Sequence, residues 1–255
     1  MSAALDIATA SRSEVGQRKS NEDKVRVCRE GSRWVAVLAD GAGGHRGGAI
    51  ASKVATEAIL LNLASARAWS TERLVEAIAA ASKSVKKHQD ANPTMSEMST
   101  TVVVLCLDSD GRRAFWTHVG DSRLFHFRRG VGTQLTRDHS VLQSFEDAGV
   151  VLPGSAKPDR SVLYAAIGAE GELKLVVDSK PDLLDGDAFL LCTDGVWDNV
   201  SLMDMERMLQ ESTTVEEWVR GVADSVAGAH RESQDNYTTL GVWVGSPEQT
   251  TITRI

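Results

Sequence analysis

At 255 residues the chain is long enough to bury a substantial core, and no proline-rich linker, repeat or low-complexity tract divides it, so one domain over 1–255 is expected. Its 35 acidic and 28 basic side chains leave a net charge of −7 without a long basic run, which disfavours nucleic acid or an anionic membrane as partner. No apolar stretch is long enough to span a bilayer, MSAALDIATA lacks a basic n-region, and Cys28, Cys106 and Cys192 form no C-x-x-C pair; a cytoplasmic protein with buried, reduced thiols is expected.

In chain order, a β-branched and aromatic run predicts a strand over 34–39. Two helices follow, marked by Ile50, Val54, Ala58 and Leu61 and then by Leu74, Ile78, Ala81 and Val85. Strands are predicted at 100–107, 113–119 and 122–128, with turns at Asp110-Gly111 and Arg129-Gly130. A short helix over 141–148 ends at Gly149, a suitable C-terminal cap. After a strand at 188–192, Thr214 and Glu217 form a capping box that opens a helix through Trp218, Val222 and Val226, and a last strand runs over 238–244. Consecutive strands joined by tight turns require antiparallel sheets, and the paired helices must cover them. The expected architecture is α+β, a β-sandwich flanked by helices.

The stretch WVAVLADGAGGHRGG sends an apolar strand into Asp40 and then into glycines. A Walker loop would need Lys-Ser or Lys-Thr after the last glycine, where Ala49-Ile50 stand; a dinucleotide fingerprint would need glycine at position 46, which is arginine. Asp40 would also repel an anion. The pattern returns at Asp194-Gly195, while Asp121 lies between two strands, Asp235-Asn236 precedes the last strand, and Glu22 and Asp23 lie near the N-terminus. Taken singly, each is an ordinary turn former. Five strand boundaries carrying acid point to a shared task. Converging carboxylates repel one another unless a hard divalent cation intervenes, and all-oxygen ligation selects Mg2+ or Mn2+ over zinc. The six histidines show no metal-ligand spacing.

Six stretches, GQRKSNEDKV, VLADGAGGHRGG, STTVVVLCLD, THVGDSRLFHFRRG with QLTRDHS, FLLCTDGVWDNV and SQDNYTTLGVWV, resemble in order the metal-dependent protein phosphatases, the type 2C serine/threonine phosphatases in their compact bacterial form. They span about 13–244. The resemblance implies a central sandwich of two antiparallel sheets with helices on both outer faces. It implies hydrolysis of phosphoserine and phosphothreonine monoesters by a water or hydroxide bridging two Mn2+ or Mg2+ ions. Asp40 would bridge the ions, the Gly41 carbonyl would complete the first site, and Asp194 and Asp235 would hold the second ion. Asp23 and Glu22 would act through metal-bound water, and Asp121 with Asp194 would form a third, weaker site. Arg18 matches the phosphate-binding arginine, whose planar fork suits two phosphate oxygens. Glu22, His45 and Asn236 would stand behind the direct ligands.

Two features depart from the family pattern. Eukaryotic relatives carry a general-acid histidine after the Asp-Gly of the second motif; here that place is Ala42. His139 is expected to brace its own turn. The flap-like segment 140–172 carries Lys157-Pro158 and Ala165-Ala166-Ile167-Gly168 where relatives place a His-Pro element and a basic residue before ALG. Three rival readings stand beside it: a thiol phosphatase using Cys106-x5-Arg112, a two-metal phosphodiesterase, and a catalytically silent phosphoprotein-binding module of the same fold. The expected partner is a phosphorylated protein, with a cognate serine/threonine kinase or its target beside it, and the expected state is a monomer.

Overall fold

The computed structural model describes residues 4–43, 47–64, 66, 68–150, 158–171, 173, 175–180, 182–229 and 233–245. The chain begins with β1 (Ile7–Glu14), β2 (Lys24–Glu30), β3 (Arg33–Ala39) and the two-residue β4 (Gly41–Ala42). Helices α1 (Gly47–Ala64) and α2 (Thr71–Ala91) follow, then β5 (Ser99–Thr100), β6 (Val102–Asp108), β7 (Arg113–Val119), β8 (Arg123–Arg128) and β9 (Val131–Gln134). The remainder is α3 (Val141–Asp147), β10 (Val176–Lys180), β11 (Ala188–Cys192), α4 (Asp194–Trp197), α5 (Leu202–Glu211), α6 (Val215–Gly228) and β12 (Tyr237–Val244). One sheet has the order β1-β12-β11-β8-β9, the other β10-β7-β6-β3-β2, and β4 pairs with β5. All of these pairings are antiparallel, as expected.

Why the central strands read as unbroken apolar runs follows from the layers. Along β6, Val103, Leu105 and Leu107 face the other sheet, while Val102, Val104 and Cys106 face α1 and α2. Along β11, Phe189 and Leu191 point between the sheets, while Ala188, Leu190 and Cys192 pack toward Trp218 and Val222 of α6. Each strand is therefore buried on both faces, and its period of two is hidden because both sets are apolar.

Local signals are largely obeyed. Thr214 caps α6, its side chain accepting from the Glu217 N–H, although the Glu217 carboxylate returns to the Thr213 N–H rather than to that of the cap. Arg129 and Gly130, both at positive φ, form the two-residue turn between β8 and β9. Gly149 ends α3 at φ +67°. The expected strand over 100–107 is broken at Thr101, which separates β5 from β6. Cys106 and Cys192 are buried, but Cys28 on the edge strand β2 is only half-buried. Among the described residues, no helix is long and apolar enough to cross a membrane.

Candidate active site

Five strand ends meet at one end of the sandwich. β3 delivers Asp40, the turn after β7 delivers Asp121, β11 delivers Asp194, β12 is entered through Asp235, and β2 through Glu22 and Asp23. A cavity of about 690 Å³ opens there, lined by Arg18, Glu22, Asp40, Gly41, Asp121, Asp194 and Asp235 among others. Asp23 lies buried behind it. The acids that looked scattered along the chain thus share one cleft. His45 lies outside the described residues, as does Lys157.

The glycines permit close packing of backbones. A Cβ on Gly41 would fall 2.1 Å from the Gly48 carbonyl oxygen and 2.8 Å from that of Glu22; one on Gly48 would fall 2.1 Å from Glu22 Oε2. Side chains at either position would force the Asp40 loop away from the start of α1 and from Glu22. The second Asp-Gly follows the same rule, since a Cβ on Gly195 would meet the Asn236 carbonyl oxygen at 2.1 Å. Asn236 ties the N-terminal motif down: its amide nitrogen donates to the Val15 and Ser20 carbonyls at 2.8 and 3.0 Å, and its oxygen accepts from the Glu22 N–H at 2.8 Å.

A layer of buried hydroxyls, unforeseen from the sequence, lies under the acids. Thr193 Oγ1 donates to Asp23 Oδ2 at 3.1 Å and accepts from the Thr238 N–H at 3.0 Å. The Asp40 carbonyl accepts from Thr100 Oγ1 and from the Thr101 N–H, both at 2.8 Å. The available signal was a pair of threonines at the mouth of an apolar strand, at the same end as the acids.

Electrostatically the site is in deficit. Burial, together with the charges of Asp23, Asp194, Asp121 and Asp235, holds the Asp40 carboxyl well above its usual range. Burial lifts Asp23 to about 7 and Asp121 to about 7, in both cases with added repulsion from Asp194. Asp194 rises to about 6 through burial and the Asp235 charge. The oxygens Asp23 Oδ1 and Asp194 Oδ1 are buried without hydrogen-bond partners. Arg18 Nη2 reaches Asp235 Oδ2 at 2.6 Å, so the arginine expected to face phosphate rests on a candidate ligand. Among the described residues, no three His, Cys, Asp or Glu side chains are gathered around a single point as a finished cage. The Asp40 carboxyl lies within hydrogen-bonding reach of Asp23 and of Asp194, and Arg18 engages Asp235. The donor set nevertheless fits hard divalent cations: it is all oxygen, two of its oxygens are orphaned, and a positive charge would relieve its mutual repulsion.

The rival chemistries fare differently. Cys106 is fully buried, and that burial pushes its thiol far up, so it is neither accessible nor a thiolate. His139 does brace its turn. Its Nδ1 accepts from the Gly120 N–H at 3.3 Å, its ring lies between His118 and Tyr164, and burial lowers it to about 4. In the flap-like segment, Ser161 and Leu163 line the cleft, and Arg160 pairs with Asp198 at 3.1 Å. Ile167 bridges to Thr100, and Leu163 to Ser140. Residues 151–157 and 172 of the segment lie outside the described ones.

Comparison with known proteins agrees with this fold. The sequence profile of the family described as protein phosphatase 2C matches residues 11–237. Serine/threonine protein phosphatase PstP of Mycobacterium tuberculosis is 34% identical over 202 residues, covering 77% of this chain and 38% of that protein. This chain therefore spans well under half the length of that relative. Serine/threonine phosphatase stp of Listeria innocua is 28% identical over 212 residues, 78% of this chain and 81% of that one. The crystal structure of the catalytic domain of PstP in complex with two manganese ions superposes with a TM-score of 0.79 at 28% identity, covering 95% of this chain and all of that domain. With two antiparallel sheets between helical layers and acids converging at one end, the chain belongs to the protein phosphatase 2C family.

Proposed function

We propose that the chain is a metal-dependent protein serine/threonine phosphatase, hydrolysing phosphoserine and phosphothreonine monoesters with Mn2+ or Mg2+. The observation that carries this reading is the cleft itself, where carboxylates from five strand ends face one another with Arg18 at the rim. We read 1–255 as a single catalytic domain with a flap-like segment at 140–172.

Asp40, Gly41, Asp194 and Asp235 would hold two ions, with Asp23 and Glu22 behind them and Asp121 at a third, weaker position. Bound there, the ions supply an attacking water of lowered pKa and offset charge on the phosphoryl oxygens. Gly41 lies where its neighbours tolerate no side chain, so its backbone approaches the cleft closely. Arg18 offers its guanidinium fork to the phosphate, exchanging the exposed Asp235 carboxylate for substrate oxygens. Among the described residues lining the cleft there is no histidine, and Ala42 stands at the place of the eukaryotic general acid. Proton delivery to the leaving serine or threonine oxygen accordingly falls to water. Thr193 holds the Asp23 carboxylate, while Thr100 and Thr101 hold the Asp40 backbone and Asn236 that of Glu22.

The relatives' names support a phosphoprotein substrate. A monomer in the cytoplasm, opposed to a serine/threonine kinase, completes the reading. The test is phosphate release from phosphoserine and phosphothreonine peptides by the purified chain. Release that requires Mn2+, stops with chelator and survives thiol alkylation is expected. No release from a folded, Mn2+-supplied sample would favour the silent binding module, and a preference for diesters would favour the phosphodiesterase.

A further inference from the structure

We propose that Thr101 is a positioning residue for this reaction, its side chain locking Asp40 to Asp121 across the cleft. Thr101 sits where the expected strand breaks, and the break turns its polar groups toward the acids. Its N–H donates to the Asp40 carbonyl at 2.8 Å, and its Oγ1 accepts from the Asp40 N–H at 3.1 Å. The peptide groups on both sides of the Asp40 Cα are therefore held by one residue. The same hydroxyl lies 2.7 Å from Ser122 Oγ in a buried bond. Its methyl packs against Gly120, where an added Cβ would fall 2.6 Å from Thr101 Cγ2. Gly120 is at φ +101°, a conformation that glycine adopts readily, so backbone freedom and the close methyl contact coincide there.

Thr101 thus touches the residue on each side of Asp121 while gripping Asp40. It is 5% exposed and lines the cleft between them. The two acids come from different strands, β3 and the turn after β7, and their mutual repulsion tends to spread them. A short side chain bonded to the Asp40 backbone and to the Ser122 hydroxyl next to Asp121 fixes their separation without spending either carboxylate. Both hydroxyl contacts bridge distant parts of the chain, so the lock forms only in the folded protein.

Thr101→Val keeps the methyl and the volume but leaves the buried Asp40 N–H without its acceptor. Thr101→Ser keeps the hydroxyl and loses the methyl. In the whole chain, Thr101→Val is expected to lower kcat on a phosphothreonine peptide about tenfold, to leave KM within about twofold, and to weaken Mn2+ binding by calorimetry several-fold. Thr101→Ser is expected to restore both quantities to within about threefold of wild type. A folded Thr101→Val with wild-type kcat and Mn2+ affinity would overturn the proposal. So would a serine variant as impaired as the valine one, since shape rather than the hydroxyl would then matter. If Thr101→Val does not fold, Ser122→Ala removes the hydroxyl's other partner. It should weaken Mn2+ binding and kcat together, by about threefold, and unchanged values would again overturn the proposal. The inference rests on the phosphatase reading: wild-type protein that neither binds Mn2+ nor turns over would sink both, whereas competent wild type with an equally competent Thr101→Val sinks this one alone.

Discussion

β11 carries an aspartate near each end, and the two are treated in opposite ways. Asp187 immediately precedes the strand and is fully buried. Arg128 reaches it through Nε at 2.7 Å and Nη2 at 2.8 Å, His126 Nε2 lies at 3.0 Å, and the Leu184 N–H donates at 2.9 Å. Burial would raise this carboxyl, yet the Arg128 and His126 hydrogen bonds prevail and hold it at about 2. Among the described residues Asp194, at the other end, has no ion-pair partner; burial and Asp235 lift it to about 6, and its Oδ1 accepts no hydrogen bond. The same residue type on the same strand is a structural tie where the fold supplies a positive charge and a candidate site where the charge is left to be supplied. Burial alone does not distinguish the two. The partner does.

Asp194→Asn and Asp40→Asn should break the proposed catalytic end outright. Loss of a proposed ligand to the ions would cost several kcal/mol of transition-state stabilisation, so kcat on a phosphopeptide should fall at least about a thousandfold. Thermal melts of the metal-free variants should match or exceed wild type, because each removes a repelling charge, and the stabilisation given by added Mn2+ should shrink. A metal-free melt several degrees below wild type would mean that the acid had been structural.

Asp187→Asn should do the reverse. It leaves Arg128 and His126 facing an uncharged amide in a buried pocket, at a cost of about 3–5 kcal/mol to stability by denaturant titration. Molecules that remain folded should keep wild-type Mn2+ affinity. Full stability in this variant would erase the contrast between the two strand ends.

The pH dependence sharpens the comparison further. Asp23, Asp121 and Asp194 are raised when folded, so between about pH 4 and 7 the native metal-free protein binds more protons than the unfolded chain. Stability that these groups lend at acid pH is therefore lost as pH rises through that window. Asp187 is depressed, so its contribution is present above about pH 4 and disappears only as pH falls toward 2. Metal-free melts should decline from pH 5 to 7.5, and saturating Mn2+ should flatten the decline. Identical slopes with and without Mn2+ would disconnect the acids from the ion.

The smallest effect concerns Arg18. Arg18→Ala should raise KM for phosphopeptides about tenfold through one lost charge-assisted contact, with kcat changed less. Since Arg18 also rests on Asp235, the variant should bind Mn2+ at least as tightly as wild type. An unchanged KM would leave Arg18 as a partner of Asp235 alone.

Much of this was legible in the sequence because both faces of the central strands are apolar and each candidate acid sits at a strand end in a recognisable motif. β1, β2, β9 and β10 were not legible. All four are edge strands, such as IATASRSE and VGTQ, with little buried surface and no apolar run to announce them. The hydroxyl layer was missed for another reason. Thr193 meets Asp23 from 170 positions away and Thr101 meets Asp40 from 61, so only the assembled sandwich makes them partners. Asp187 gives no signal in the sequence because its cation, Arg128, lies 59 positions earlier on a neighbouring strand. Sequence reading also assigned Arg18 to phosphate without foreseeing its rest position on Asp235.

The most direct test of the central claim, that one cleft of cation-deficient carboxylates binds the catalytic ions, is anomalous scattering from crystals grown with manganese. Two strong peaks flanking Asp40, within bonding distance of Asp194 and Asp235 and with Arg18 withdrawn from Asp235, are predicted. Empty density between those oxygens at saturating manganese, with Arg18 still seated on Asp235, would contradict it.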